Sequence, residues 1–381
     1  MSNFSQITSA ANQILKKYDL CDHCLGRFFS KQLGLSSNKF LGKKLKINYI
    51  SKNKCYICKN LFNDLDYFLK LMLDSSSNYV FKTYGVGAII KPSIVDRDDF
   101  LRSKYNLKGI DSVKTDITKE LIKLFTKKTK KIMNALDPEI TFTLNLKDES
   151  CELRSKSITI FGRYVKSKRG IPQKQKSCDN CFGKGCMMCN FHGISEFESV
   201  EGIISKLLFK KFGGTTTKFS WIGGEDNSSL VLGSGRPFFV KIKNPSKRKP
   251  VLLDRKFDFI SLYNLKIVNA SPKKPLNFNS IIKIKIFTTS QIDSKIFKKL
   301  KDLIHTPIVI YEKSGKRSEK KIFNVKYKKN SKNIFTMTIT AEGGFPIKRF
   351  IVGDDVLPNI SALFDTPCVA QEFDFLDIIV E

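Results

Sequence analysis

The chain has 381 residues, too many for one ordinary core and suited to two or three domains, and with 41% hydrophobic residues it can fill those cores, which excludes a disordered chain. Lys and Arg number 67 against 36 Asp and Glu, a formal charge of +31, and only a polyanionic partner offsets self-repulsion of that size. Nucleic acid is the first candidate and an anionic membrane surface the second.

No apolar run approaches the roughly 20 residues of a spanning helix, and the opening MSNFSQITSAANQILKKYDL lacks the continuous apolar stretch of a secretory signal. The expectation is a soluble, cytoplasmic protein. There are ten cysteines, eight of them in four Cys-x-x-Cys pairs. In a reducing compartment that spacing points to metal ligands rather than disulfides.

Taken in chain order, Ile7, Ala11, Ile14, Leu15 and Tyr18 predict a short amphipathic helix that delivers the chain to Cys21 and Cys24. After Leu25-Gly26-Arg27-Phe28 and a helical stretch, the second pair arrives as Cys55 and Cys58. Two thiolates two residues apart can grip a metal from a turn, and two such pairs complete a closed, structural tetrahedron. A shared zinc is the favoured reading, buried free cysteines the alternative; His23, inside the first pair, reads as a bystander. Leu61 to Met72 predicts a helix, Tyr79 to Lys91 a strand interrupted by Gly85 and Gly87, and Ile117 to Leu136 a long helix with a lysine face. Strands follow at Ile140 to Leu146 and Ser157 to Phe161, an α/β or α+β alternation.

The segment 162–174 gathers five cations around a tyrosine. Arg163, Lys166, Lys168 and Arg169 suit phosphates and Tyr164 a stacked base, which makes them candidate RNA-binding residues; a solvated linker is the competing reading. Cys178, Cys181, Cys186 and Cys189 then form a second, tighter set in which intervening glycines let the backbone fold back, so a second structural zinc is expected there. Cys151 and Cys368 read as core residues. Past Glu196 the pattern turns to long strands, and the domain boundary is placed at 195/196, giving domains 1–195 and 196–381.

In the second domain, Lys218 to Trp221 and Phe238 to Ile242 read as strands, and between them lies Gly223-Gly224-Glu225-Asp226, followed by the turn that ends at Arg236. A carboxylate held out on a permissive loop is either an ordinary turn residue or a catalyst. Further strands are expected at Ile282 to Phe287, Pro307 to Tyr311, Ile334 to Thr340 and Phe373 to Val380, with helices at Ile296 to Ile304 and Ile360 to Phe364 and a basic hairpin tip at 313–321. The chain has three histidines and no phosphate loop, dinucleotide fingerprint or Ser/His/Asp set, so any catalysis should rest on a carboxylate.

Residues over nearly the whole chain are similar to the archaeal tRNA pseudouridine synthases of the Pus-ten type. The similarity is carried by Cys21/Cys24 with Leu25-Gly26-Arg27-Phe28, Cys55/Cys58, Asp111 to Lys114, Asp137 to Ile140, Gly162-Arg163-Tyr164, Arg169 to Gln173, the Cys178 to Cys189 cluster, Glu225-Asp226, Leu232 to Phe238, Thr306-Pro307 and Gly344 to Lys348 with Gly353-Asp354. The resemblance implies an α+β fold: a zinc-bearing accessory domain with a THUMP-like tRNA-binding part, then a catalytic domain around a mixed, mostly antiparallel sheet. It implies isomerisation of uridines 54 and 55 in the TΨC loop of tRNA, with no cofactor for catalysis and a monomeric enzyme. By motif, Asp226 is the catalytic aspartate, Lys348 its basic partner and Phe287 the position of the active-site tyrosine; Arg236 joins the RNA-binding set. The chain departs from the family pattern at Gly224, where an arginine that helps displace the target base is usual, and at Val309 and Glu312, where cations or histidine are expected. Those departures motivate the alternative of a tRNA-binding or chaperone protein that is weakly active or inactive. A THUMP-bearing methyltransferase is disfavoured because no glycine-rich nucleoside loop follows a strand.

Overall fold

Ile7, Ala11 and Ile14 fall on one face of helix α1 (Ser2–Leu15) and are buried there, as their spacing predicts. The computed structural model describes residues 2–381 except 36, 48, 51–52, 108–110 and 313, and the chain divides into two units, Met1–Lys156 and Ser157–Glu381, each with its own apolar core.

In the first unit, Cys21 caps helix α2 (Asp22–Phe29), which crosses α3 (Asn38–Leu45). Gly26 permits the crossing: a Cβ there would lie 1.8 Å from the Asn38 carbonyl oxygen. Arg27, one residue on, is buried and pairs with the buried Asp98, Nη2 to Oδ1 at 2.5 Å. These roles account for Leu25-Gly26-Arg27-Phe28 as a packing element. Helix α4 (Leu65–Ser76) buries Phe68, Leu69 and Met72. Strand β1 (Thr83–Ile89), helix α5 (Pro92–Lys104), helix α6 (Val113–Thr129) and strands β2 (Ile132–Met133), β3 (Ile140–Asn145) and β4 (Ser150–Ser155) complete the unit. Its sheet runs β2-β1-β3-β4, with β1 and β3 parallel and β3 and β4 antiparallel.

Helix α6 stops short of the expected Leu136. Lys130 takes a left-handed conformation (φ 59°) and returns its N–H to Thr126 O, which ends the helix, and Leu136 is exposed. Helix α5 was not expected, because Pro92 to Lys104 has no regular apolar stripe.

The second unit starts earlier than the expected 195/196. Strand β5 (Ile158–Lys166) continues five residues past the predicted Phe161 and carries much of the basic segment into the sheet. Helix α7 (Val200–Phe212), which the strand-rich reading missed, leads to β6 (Thr217–Trp221) and β7 (Val231–Ile242). Next come β8 (Arg255–Lys256), β9 (Ile260–Val268) and β10 (Phe278–Thr288), then a 3-10 helix, Ile296–Ile304. Strands β11 (Ile308–Tyr311), β12 (Arg317–Lys320), β13 (Ile322–Lys329) and β14 (Ile334–Glu342) precede α8 (Ile347–Val352), β15 (Val356–Leu357), α9 (Ile360–Phe364) and β16 (Cys368–Val380).

Among the described residues these strands form a nine-stranded sheet ordered β13-β14-β10-β16-β7-β5-β9-β8, with β6 beside β7, and a small sheet ordered β12-β11-β15. Because β5 bonds to both β7 and β9, the boundary falls at 156/157, and the second cysteine set belongs to the second unit. The predicted basic hairpin is β11–β12; Lys313, at its start, lies outside the described residues.

Strand β7 gives one edge to β5. Its other edge meets β16 at Val231 and β6 from Phe238 onward. The loop 222–230 therefore emerges where the neighbour of β7 changes, a place where backbone must leave the sheet.

Candidate active site and metal centres

Asp226 sits in that loop, and its two carboxylate oxygens are held differently. Oδ1 accepts from Ser228 N at 3.0 Å and Ser228 Oγ at 2.6 Å, while Oδ2 accepts from Lys348 Nζ at 2.6 Å. Lys348 comes from α8, whose Ile347, Phe350 and Ile351 are buried so that the lysine points outward. Donation from Lys348 and from Ser228 holds the Asp226 carboxyl down at about 2, so it is ionised at neutral pH. The pair borders a cleft of about 400 Å³ lined by Gly224, Glu225, Phe345, Pro346, Phe373 and Phe375, a volume within the range of small-ligand sites. An ionised carboxylate beside a cation in a partly apolar cleft can act as a nucleophile or take a proton.

Beneath the loop lies a buried charged network. Glu225 has no exposed side-chain surface; Lys166 Nζ approaches its Oε1 at 3.0 Å, Arg236 Nε its Oε2 at 3.5 Å, and the Tyr164 hydroxyl donates to Oε2 at 2.8 Å. The cations also hold backbone on both sides of Glu225: Arg236 donates to Ile222 O at 2.9 Å and Lys166 to Asp226 O at 3.2 Å. The Arg236 guanidinium stacks over the Phe375 ring at 4.4 Å. Burial, with the Glu225 carboxylate next in importance, pushes the Tyr164 hydroxyl well above its usual range.

This geometry corrects three RNA-binding expectations. Tyr164, Lys166 and Arg236 are buried, so none of them can meet a base or a phosphate; they lie on the inner face of strands β5 and β7 and support the loop. Arg163 is turned to carbonyls, with Nε on Ser234 O at 2.7 Å and Nη2 on Gly235 O at 2.8 Å. Arg169 forks onto Asp374 at 2.7 and 2.8 Å, and Asp374 also accepts from Leu230 N at 3.0 Å, so this arginine fastens the Asp226 loop to β16. Lys168 is exposed.

Phe287 does not join Asp226 either. It lies at the far end of β10 opposite Val369, whereas the cleft residues Phe375 and Phe373 pair with Ile282 and Ile284. Alternation along β10 puts Phe287 on the other face from Ile284, roughly 10 Å further along the strand. The aromatic wall of the cleft comes instead from β16, where the alternating Phe373 and Phe375 were the available signal. Glu225 carried no comparable signal, since a carboxylate beside two glycines reads as a turn.

Both cysteine sets converge. In each, one sulfur from every member lies within 4.8 Å of the others. In the first, Cys21 and Cys58 sulfurs are 3.6 Å apart; in the second, Cys189 is 3.8 Å from both Cys181 and Cys186. Four sulfurs about 2.3 Å from a tetrahedral zinc stand about 3.8 Å from each other, so both donor sets fit that ion. His23 is not a ligand: it stacks flat on Phe62 at 4.3 Å. Cys368 is buried as expected, and Cys151 is half-buried against Ser75.

Comparison with known proteins places this geometry in a class. Residues 68–145 match the archaeal Pus10 THUMP domain and residues 159–379 match the Pus10 C-terminal domain. The curated tRNA pseudouridine synthase Pus10 of Nitrosopumilus maritimus is 62% identical over 381 residues, covering 100% of both chains. That of Cenarchaeum symbiosum is 32% identical over 96% of this chain and 90% of its own, and that of Methanocaldococcus jannaschii 28% identical over 96% and 93%. A THUMP domain ahead of a pseudouridine synthase domain defines a tRNA-modifying isomerase. The chain belongs to the archaeal Pus10 family of tRNA pseudouridine synthases. The expected α+β organisation is met, and tRNA is the macromolecular partner that this membership entails. None of the described helices is long and apolar enough to cross a membrane.

Proposed function

We propose that the chain converts uridines 54 and 55 of the tRNA TΨC loop to pseudouridine, with Asp226 as the catalytic carboxylate and Lys348 as its partner. The observation that carries this reading is the 2.6 Å contact between Lys348 Nζ and Asp226 Oδ2 at the edge of the cleft. The target base leaves its stack and enters the cleft, where Phe373 and Phe375 offer an apolar wall. Asp226 attacks C1′ of the sugar, or removes its 2′ proton, as the bond from C1′ to uracil N1 breaks; the turned uracil rejoins C1′ through C5, which displaces the carboxylate or is matched by return of its proton to the sugar, and C5 gives up its proton while N1 gains one. Lys348 keeps the carboxylate ionised until it reacts. No cofactor takes part in this scheme, zinc in the two cysteine sets is structural, and the enzyme acts as a cytoplasmic monomer on the TΨC arm, with exposed lysines such as Lys168 meeting phosphates.

Incubating an unmodified tRNA transcript with the wild-type protein and with Asp226→Ala, then mapping pseudouridine, tests the reading. Product at both positions with the wild type alone is expected. Product at one position redefines the substrate. Product from neither protein, with tRNA binding intact, favours the chaperone reading that Gly224 motivates.

A further inference from the structure

The second cysteine set has a feature that a structural zinc does not require. Between and around its ligands, Phe182, Met187 and Met188 are 83%, 82% and 81% exposed, and Phe191 is more than half exposed. Three large apolar side chains standing in water on one short turn form a concentrated patch, not scattered surface residues. The turn beneath them is stiff. The two halves of the knuckle touch so closely that a Cβ on Gly185 would lie 2.7 Å from Phe191 O. Its base is anchored to the second unit: the His192 ring stacks on Phe209 of α7 at 3.8 Å, and His192 Nδ1 meets Thr215 O at 2.9 Å.

The charge around the tip is one-sided. Residues 174–192 hold three lysines and one carboxylate, and Lys174, Lys176 and Lys184 are exposed. The carboxylate, Asp179, meets Lys176 at 3.4 Å with both side chains largely in solvent, a pair that contributes little. A partner that is polyanionic and presents flat apolar faces matches such a surface, and unstacked nucleic acid has both properties. A second copy of this chain would bring like charges together.

We propose that the Cys178–Cys189 knuckle is a tRNA-contacting finger in which Phe182, Met187 and Met188 pack on unstacked bases of the substrate and Lys176 and Lys184 take the neighbouring phosphates. The proposal rests on tRNA being the substrate, and it assigns to the knuckle a binding role separate from the cleft at Asp226.

The test compares the full-length protein with a triple variant, Phe182→Ser, Met187→Ser, Met188→Ser, using an unmodified tRNA transcript as probe. All three side chains are exposed, so the variant keeps the fold, and its melting temperature verifies this. The expected result is at least about a tenfold rise in Kd, with the slope of log Kd against log salt unchanged, because apolar contacts and not phosphate contacts are removed. Replacing Lys176 and Lys184 by Ser should instead lower that slope. Cross-linking of a 4-thiouridine transcript to the peptide containing Phe182 should accompany wild-type binding. An unchanged Kd in the triple variant overturns the finger while leaving the tRNA reading intact. A wild-type dimer that the triple variant dissolves overturns it in favour of self-association. Failure of the wild-type protein to hold tRNA removes the finger together with the reading on which it rests.

Discussion

Lys166 Nζ lies 3.0 Å from Glu225 Oε1 with neither side chain exposed, one residue from the carboxylate that meets Lys348. With Arg236 on the other carboxylate oxygen, two buried cations depend on a single buried anion. Deleting one partner of such a group leaves uncompensated charge in the core, at a cost of about 3–5 kcal/mol. Glu225→Ala should therefore lower the urea unfolding free energy by about that amount and abolish pseudouridine formation, since both ends of the loop 222–226 lose their holds. A loss below about 1 kcal/mol would show that the network is replaceable.

Lys348 acts on Asp226 and not on the core, because it is more than half exposed. Lys348→Met removes the largest influence that lowers the Asp226 carboxyl to about 2, so its pKa rises toward the ordinary 3.8, with the Ser228 bonds still opposing. In the wild type, the rate should show no acid limb from Asp226 above about pH 4; in the variant the limb moves up, and kcat falls at least tenfold while the Kd for tRNA changes less than threefold. The stability consequence follows the same sign. A carboxyl lowered in the folded state stabilises above 3.8 and loses that contribution as pH falls toward 2. The melting-temperature gap between wild type and Asp226→Asn should thus narrow on acidification. A gap independent of pH contradicts the pairing.

The contrast between Asp226 and Glu225 shows which parts of the site were legible. Asp226 and Lys348 stand 122 positions apart, and no spacing rule links them; only motif resemblance joined them before the geometry did. The cysteine sets were readable directly, because Cys-x-x-Cys encodes a local turn and two turns close a tetrahedron. The segment 162–174 misled because five cations around a tyrosine in one short stretch read either as a nucleic-acid contact or as a solvated linker. Its period of two, Ile158-Ile160-Gly162-Tyr164-Lys166, was visible, yet a lysine on the inner face makes sense only once Glu225 is known to wait there. Phe287 was misplaced for a related reason. Its position in the motif was matched without the strand parity that decides which face of β10 meets Phe373.

The two metal centres should respond differently to loss of ligands. Cys24, Cys55 and Cys58 are buried in the apolar core of the first unit, whereas Cys181 and Cys186 are only half-buried on the knuckle. Purified protein should carry close to two zinc ions per chain by atomic absorption. Cys181→Ser with Cys186→Ser should bring that to one while the thermal transition of the sheet persists. Cys55→Ser with Cys58→Ser should unfold the first unit, since closed zinc sites contribute folding energy outright. Metal-free protein with unchanged stability would return both sets to buried free thiols.

Gly224 offers a test by gain instead of loss. A Cβ added there meets no atom within 4 Å, and the residue lines the cleft beside Asp226, so an arginine enters without a backbone clash at the edge of the cleft proposed to take the displaced base. Gly224→Arg should leave the melting temperature within a degree or two, because an exposed substitution away from packed contacts changes stability by no more than about 0.5 kcal/mol. Its effect should appear in the reaction: a severalfold faster single-turnover rate, or a shift in the ratio of product at uridines 54 and 55, both read by mapping pseudouridine over time. If the rate and the ratio stay at wild-type values while the variant binds tRNA normally, the residue before Glu225 has no part in base displacement, and the glycine is a neutral exchange.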